Sequence, residues 1–389
     1  MPMTTHSPLR RLLPPPVRIK TWLKRVAVVI GVVVVILLLP VAYLKFGCGG
    51  ESELPPQRSH EDIHASTREP GTVLSDATYF RNEDQTYLTL PEWYIVYSAE
   101  EQASFLQNHG PSAFPYAAAT RQYWQTHCHV YRLTGRYPFN RGYHVALYVL
   151  GISFSAEYGL KGLYEHTVGA MTSWIDGSDT QEDRYAAAVA KEYADFIHAS
   201  PFYNFPFGAK LVGLWRQMDW SGPKILRKWE RKFLLTAEYG IKGTYSWMVR
   251  RATRAAYAPE EEMMYLTVDR LPPALPQREP RIRVLAESGG SGRIIGIPRY
   301  EPFREIVSAF ADEGILIQDI AGNDDILVTL LSGRSWMYDL SYGQFLFSMD
   351  ILTRPDRKRS AVRVPVSSLH LFLPALTARG VTLEHLYDY

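Results

Sequence analysis

From Val26 to Leu44 the chain carries no charged side chain, and a helix needs about 20 apolar residues to cross the hydrocarbon core of a bilayer. Trp22 and Tyr43 stand at the edges of this run, where amphipathic rings favour the headgroup level. Arg10, Arg11, Arg18, Lys20, Lys24 and Arg25 precede it with no acidic residue among them. The pattern predicts a basic cytoplasmic tail over 1–25, a transmembrane anchor over 26–45 and a translocated body. A cleaved signal peptide would show a shorter apolar stretch closed by a small-x-small site. Lys45 and Phe46 occupy the positions where an acylation site before Cys48 would need a branched apolar and a small residue.

After the apolar run, residues 46–75 are polar, proline-bearing and without apolar period, and read as a stalk. Residues 76–270 follow a mostly helical pattern rich in aromatics. Helices are expected from Leu90, over Tyr116–Tyr131, Tyr143–His166 and Glu182–Ile197, and from Pro223 to Tyr257. Phe114-Pro115, Tyr137-Pro138 and Phe205-Pro206 mark corners between them. The proline-rich segment 271–280 reads as a linker. Beyond it, residues 281–389 change to strand periodicity, with helices expected over 302–313 and 368–379. Ile297-Pro298 through Gly314 to Ile320 matches Val364-Pro365 through Gly380 to Leu386, each copy reading strand, helix, glycine cap, strand. Two such units suggest a split β-α-β arrangement, the ferredoxin-like plan with extra strands. The expected fold class is therefore a membrane-anchored chain with an aromatic-rich helical domain followed by an α+β domain.

A second repeat lies in the helical region. Ala156-Glu157-Tyr158-Gly159-Leu-Lys161-Gly162-Leu-Tyr164 recurs as Ala237-Glu238-Tyr239-Gly240-Ile-Lys242-Gly243-Thr-Tyr245. On a helix, Glu157 and Lys161 stand one turn apart in the favourable order, as do Glu238 and Lys242. The paired glycines each cost a helix interior up to about 1 kcal/mol, so close packing against the other copy is expected to compensate. That packing would gather Glu157, Lys161, Glu238 and Lys242. Two readings then stand: an ion network that fixes the helix crossing, because buried charges persist mainly when paired, or a site where these groups with Tyr158 and Tyr239 face a small polar ligand.

Lys224, Arg227, Lys228 and Arg231 line one stripe of the last helix while Ile225, Trp229 and Phe233 take another side. This reads as a membrane-surface contact for anionic headgroups, with a merely solvated stripe as the alternative. The near-apolar stretch Tyr143–Ala156 fits either a helical domain that rests on or dips into the bilayer that tethers it, or apolar positions that form the core of the helix bundle.

A net charge of +2 over 389 residues points away from nucleic acid as a partner. Two cysteines give no disulfide framework, and a bridge between them is not expected with Cys128 inside a helix. His127-Cys128-His129 lacks companion ligands at zinc spacing, so no metal and no cofactor is expected. No nucleophile elbow, zinc-protease helix or dinucleotide fingerprint occurs. The sequence thus predicts a single-pass protein of a cell inner (plasma) membrane with its bulk outside the cytoplasm. The expected function is an envelope interaction or assembly component with lipid, and a protein, as partners. The competing class is a ligand binder or enzyme using the Glu/Lys/Tyr groups.

Overall fold

The computed structural model describes residues 24–25, 27–28, 31, 38–48, 80–253, 263–287 and 292–389. They fall into two units, residues 1–49 and residues 50–389. In the first unit, residues 38–47 are helical and end in a π-helical turn, Tyr43–Gly47. Nine of the twenty positions of the expected anchor and nearly all of the expected stalk lie outside the described residues. Among the described residues no helix is long and apolar enough to cross a membrane.

The second unit begins with a helical region: α1 (Leu90–Leu106), α2 (Tyr116–Leu133), α3 (Arg141–Tyr164), α4 (Ala170–Asp176), α5 (Gln181–Ile197), α6 (Phe207–Gln217) and α7 (Ile225–Thr253). Phe114 and Phe205 are extended, with ψ of 136° and 135°, as the residue before a proline must be. Pro115 and Pro206 follow at φ −82°, ψ 60° and φ −81°, ψ 60°. Each stands just ahead of a helix's first turn, where a missing N–H costs nothing. A single 3₁₀ turn precedes each corner, Pro111–Ala113 and Phe202–Asn204.

These matching corners belong to a duplication much longer than the nine-residue motif. Tyr94 of α1 donates its hydroxyl to the Ala119 carbonyl at 3.0 Å and Tyr185 of α5 donates to Lys210 at 2.7 Å, both across 25 residues of chain. Trp124 donates its indole N–H to Ser155 Oγ at 2.9 Å, and Trp215 donates to Thr236 Oγ1 at 3.0 Å. The unit α1-α2-α3 is therefore repeated as α5-α6-α7. The expectation that the motif's glycines bring the two copies together is corrected. A side chain at Gly159 or Gly240 would meet nothing within 4 Å. Gly162 instead makes room for Tyr116, whose Cβ lies 2.8 Å from where a Cβ would stand, and Gly243 faces Phe207 at 3.7 Å. The glycines accommodate the ring that follows each proline corner.

Residues 263–389 form two four-stranded antiparallel sheets. The first orders β1 (Met263–Val268), β2 (Arg283–Glu287), β3 (Arg293–Pro298) and β4 (Ile317–Ile320) as β2-β3-β1-β4, with α8 (Glu301–Asp312) between β3 and β4. The second orders β5 (Asp325–Gly333), β6 (Gln344–Ile351), β7 (Arg354–Pro365) and β8 (Thr382–Tyr387) as β6-β7-β5-β8, with α9 (Leu369–Ala378) between β7 and β8. The two orders are the same, so this region is also duplicated. Each sheet holds one split β-α-β, its parallel strands flanking the first strand of the unit. Gly314 and Gly380 cap the helices at φ 63° and 66°. Ile315 and Val381 then donate back to Phe310 and Leu376 at 2.9 and 3.1 Å, the closure that a left-handed glycine permits.

Both helices and the inner strands share one core around Phe303, Phe310, Phe372 and Leu376. The other face of the second sheet carries Leu327, Phe347 and Tyr387 against Trp93 and Tyr97 of α1, so helices and strands meet through buried aromatics. Strand β1 precedes the proline-rich segment, which itself holds a helical turn, Ala274–Arg278. Met263-Met-Tyr-Leu-Thr-Val is a short apolar run, and its sheet partners β3 and β4 lie far along the chain. Neither cysteine is a free thiol.

Candidate functional site

The repeated motifs meet. Chain direction and ion pairs show that α3 and α7 lie antiparallel. Lys161 Nζ reaches Glu238 Oε1 at 3.0 Å, and Lys242 Nζ reaches Glu157 Oε1 at 2.7 Å and Glu238 Oε1 at 3.0 Å. Each lysine thus binds a glutamate of the other copy. Burial alone would push the Glu238 carboxyl up, but the Lys161 and Lys242 ammoniums hold it well below the usual carboxylate range. Lys242 shows the converse: burial opposes its charge, yet Glu157 and Glu238 hold its ammonium well above the ordinary lysine value. Tyr158 and Tyr239 are buried, and burial raises both phenols. Tyr158 accepts a hydrogen bond from Ser98 at 3.1 Å and packs edge-on against Tyr116.

These six residues line a solvent-open cavity of about 600 Å³. Its walls come in equivalent pairs, α1 with α5 and α3 with α7. From α1, Gln102 lines it with an Nε2 that is buried and without a hydrogen-bond partner. From the corresponding turn of α5 comes Tyr193, its phenol pushed up to about 12 mainly by burial, with the Lys242 ammonium 5.5 Å from its ring. Cations over ring faces at this distance are attracted by the ring quadrupole. The repeated motifs therefore bring two ammoniums and two carboxylates to a cavity that also holds an amide donor, aromatic walls and the further charges of Glu165, Asp179, Asp183, Arg184 and Arg231. A small molecule bearing both charges can exchange partners with them without leaving any group unpaired.

Glu165 and Arg231 also reach the cavity wall. Arg231 pairs with Glu165 at 2.7 Å and with Glu230, while Arg227 pairs with Asp183 at 2.7 Å and with Glu230 at 3.1 Å. The turn that admits them is the π-helical segment Glu165–Gly169 between α3 and α4. A Cβ at Gly169 would stand 2.4 Å from the Glu165 carboxylate, and its carbonyl accepts from Arg227 at 3.0 Å.

The membrane-surface stripe expected from Lys224, Arg227, Lys228 and Arg231 is corrected accordingly. Arg227, Lys228 and Arg231 are buried. Lys228 donates to the Ser221 carbonyl at 3.0 Å, and Lys224 pairs with Asp179. Buried ions persist when paired and hydrogen-bonded, and here the apolar side of α7 faces outward instead.

Gln102, Tyr193 and Glu165 are site residues that sequence reasoning missed. Gln102 and Tyr193 differ in chemistry, so no motif joins them; extending the repeat back through the two Phe-Pro corners aligns them. Compared with family models, with curated proteins and with solved structures, the chain matches none.

Proposed function

We propose that this chain is a single-pass, membrane-anchored protein of the inner (plasma) membrane whose extracytoplasmic helical region binds a small zwitterionic ligand in the cleft between its two internal copies. The observation that carries this is the open cavity of about 600 Å³ lined from both copies, with the buried, unpartnered Gln102 amide at its wall. A closed ion network would fix the helix crossing without such a space, and a buried donor left unmade costs about 1–3 kcal/mol. Binding rather than catalysis is favoured because Glu238 and Lys242 are driven away from neutrality, whereas a general acid or base works best with a pKa near the operating pH.

The anchor rests on the uncharged run Val26–Leu44 and the basic residues before it. The two split β-α-β units, each ferredoxin-like in plan, serve as the platform on which α1 stands. A second reading, an envelope assembly component docking a protein, is favoured by the broad apolar surface that α3 and α7 turn outward. No role in nucleic-acid binding is proposed.

Calorimetric titration of the full chain with free amino acids and dipeptides separates these readings. Ligand binding predicts saturable heat for at least one zwitterion in the wild type, weakened in Gln102→Leu. No heat with any of them, in a chain that melts cooperatively, leaves the assembly reading.

A further inference from the structure

Every exposed side chain of α7 from Ile225 to Met248 is uncharged. Leu226, Trp229, Phe233, Ala237, Ile241, Tyr245 and Met248 recur at three- and four-residue steps along the helix. The stripe is about 33 Å long at 1.5 Å per residue. Beside it, the α3–α4 rod exposes Val149, Leu160, Leu163, Met171 and Trp174. From Val145 to Ile175 the one charged side chain exposed is Glu157, which Lys242 engages. Leu160 is 71% exposed, Ile241 70% and Trp174 86%. Isolated surface apolar residues are ordinary, but contiguous apolar patches on this scale mark an interaction site.

The polarity of this helix pair is inverted. Arg227, Arg231 and Lys232, which would face water on an ordinary surface helix, are buried and paired with Asp183, Glu165, Glu230 and Glu182. Ions turned inward and paired, with apolar side chains outside, is the arrangement that contact with lipid demands, because lipid offers charges no partner. Trp174, Trp220, Trp229 and Trp247 are all exposed around this face, and tryptophan favours the membrane–water interface.

We infer that the outer face of α3, α4 and α7 lies in the interfacial layer of the bilayer, parallel to its plane. The occupant is lipid rather than a protein because the chain carries its own candidate anchor at Val26–Leu44, and tethering holds the face at high effective concentration beside a membrane. The inference rests on the membrane-anchored part of the proposed function and is independent of the ligand.

The test uses the full chain in phosphatidylcholine vesicles with plain or brominated acyl chains, with Trp22→Phe present throughout so that the anchor edge gives no signal. Flotation reports on the anchor and bromine quenching reports on the face. Quenching in the parent that is largely lost in Trp174→Phe/Trp229→Phe/Trp247→Phe, and weakened by the exposed change Ile241→Asp, is the expected result. Flotation without quenching overturns the docking inference alone; loss of both overturns the anchor as well. Absence of quenching in a chain that dimerises, with Ile241→Asp restoring the monomer, overturns it in favour of a second copy.

Discussion

Lys161 on α3 binds Glu238 on α7 at 3.0 Å, and the corresponding lysine of the second copy, Lys242, returns the contact to Glu157 at 2.7 Å. This reciprocal exchange is what an internal pseudo-two-fold produces. It holds four charges of zero net sum at the wall of an open cleft.

Replacing Glu238 with Gln leaves Lys161 without its glutamate and Lys242 with Glu157 alone. Losing one partner of a buried pair costs about 3–5 kcal/mol, and about 2 kcal/mol is expected here because the site opens to solvent. Glu238 is held below its unfolded value of 4.5. Its contribution is therefore present above that pH and is lost as pH falls through the lower folded value. Denaturant melts of wild type and Glu238→Gln should differ most near neutrality and converge in acid. A gap that widens on acidification would contradict this.

Glu92 gives the opposite sign. Burial pushes its carboxyl from 4.5 up to about 7, against a hydrogen bond from Tyr143 and the nearby Arg299, with Asp388 adding to the rise. A raised acid stabilises the fold at low pH, and that contribution disappears as pH climbs from about 4.5 through about 7. Glu92→Gln should remove the dependence and gain stability over wild type at pH 8, by at most about 3 kcal/mol. Equal stability of the two at pH 8 would rule it out.

The four motif glycines divide by surroundings. Gly159→Ala and Gly240→Ala enter open space and should stabilise by up to about 1 kcal/mol each, the helix-propensity gain. Gly162→Ala places a methyl 2.8 Å from Tyr116 Cβ and should destabilise by about 1–3 kcal/mol. Thermal melts of the three variants decide it; a stabilised Gly162→Ala would mean that Tyr116 does not close on that glycine.

Gly314→Ala and Gly380→Ala test the second duplication. Both positions hold left-handed backbone at φ 63° and 66°, where a side chain costs about 1–2 kcal/mol. Near-equal losses are expected if the two units are copies. A loss at one position only would separate them.

Much of this fold is legible in the chain because local chemistry dictates it. Proline and glycine fix the corners at Pro115 and Pro206 and the caps at Gly314 and Gly380, and a short, nearly continuous aliphatic run marks β5. What escaped depends on distant contacts. Met263–Val268 falls in the region expected to be helical, and its pairing with β3 and β4 makes it a strand instead. The charged run Arg354–Ser360 has no apolar period, yet it forms the first part of β7, with Arg359 buried between Glu384 and Glu101. The stripe on α7 shows the same limit, since amphipathic spacing identifies its two sides but not which one faces inward. Glu157, Lys161, Glu238 and Lys242 were legible because repetition singles them out, while Gln102 has no local signature.

Native mass spectrometry of the full-length chain purified from its own membrane, in parallel with Gln102→Leu, tests the ligand-binding claim most directly. A small polar molecule retained by the wild type, lost from the variant and displaced by excess of the zwitterion that gives heat in titration is the expected result. Bare chain mass in both proteins, with no heat from any amino acid or dipeptide, would contradict it.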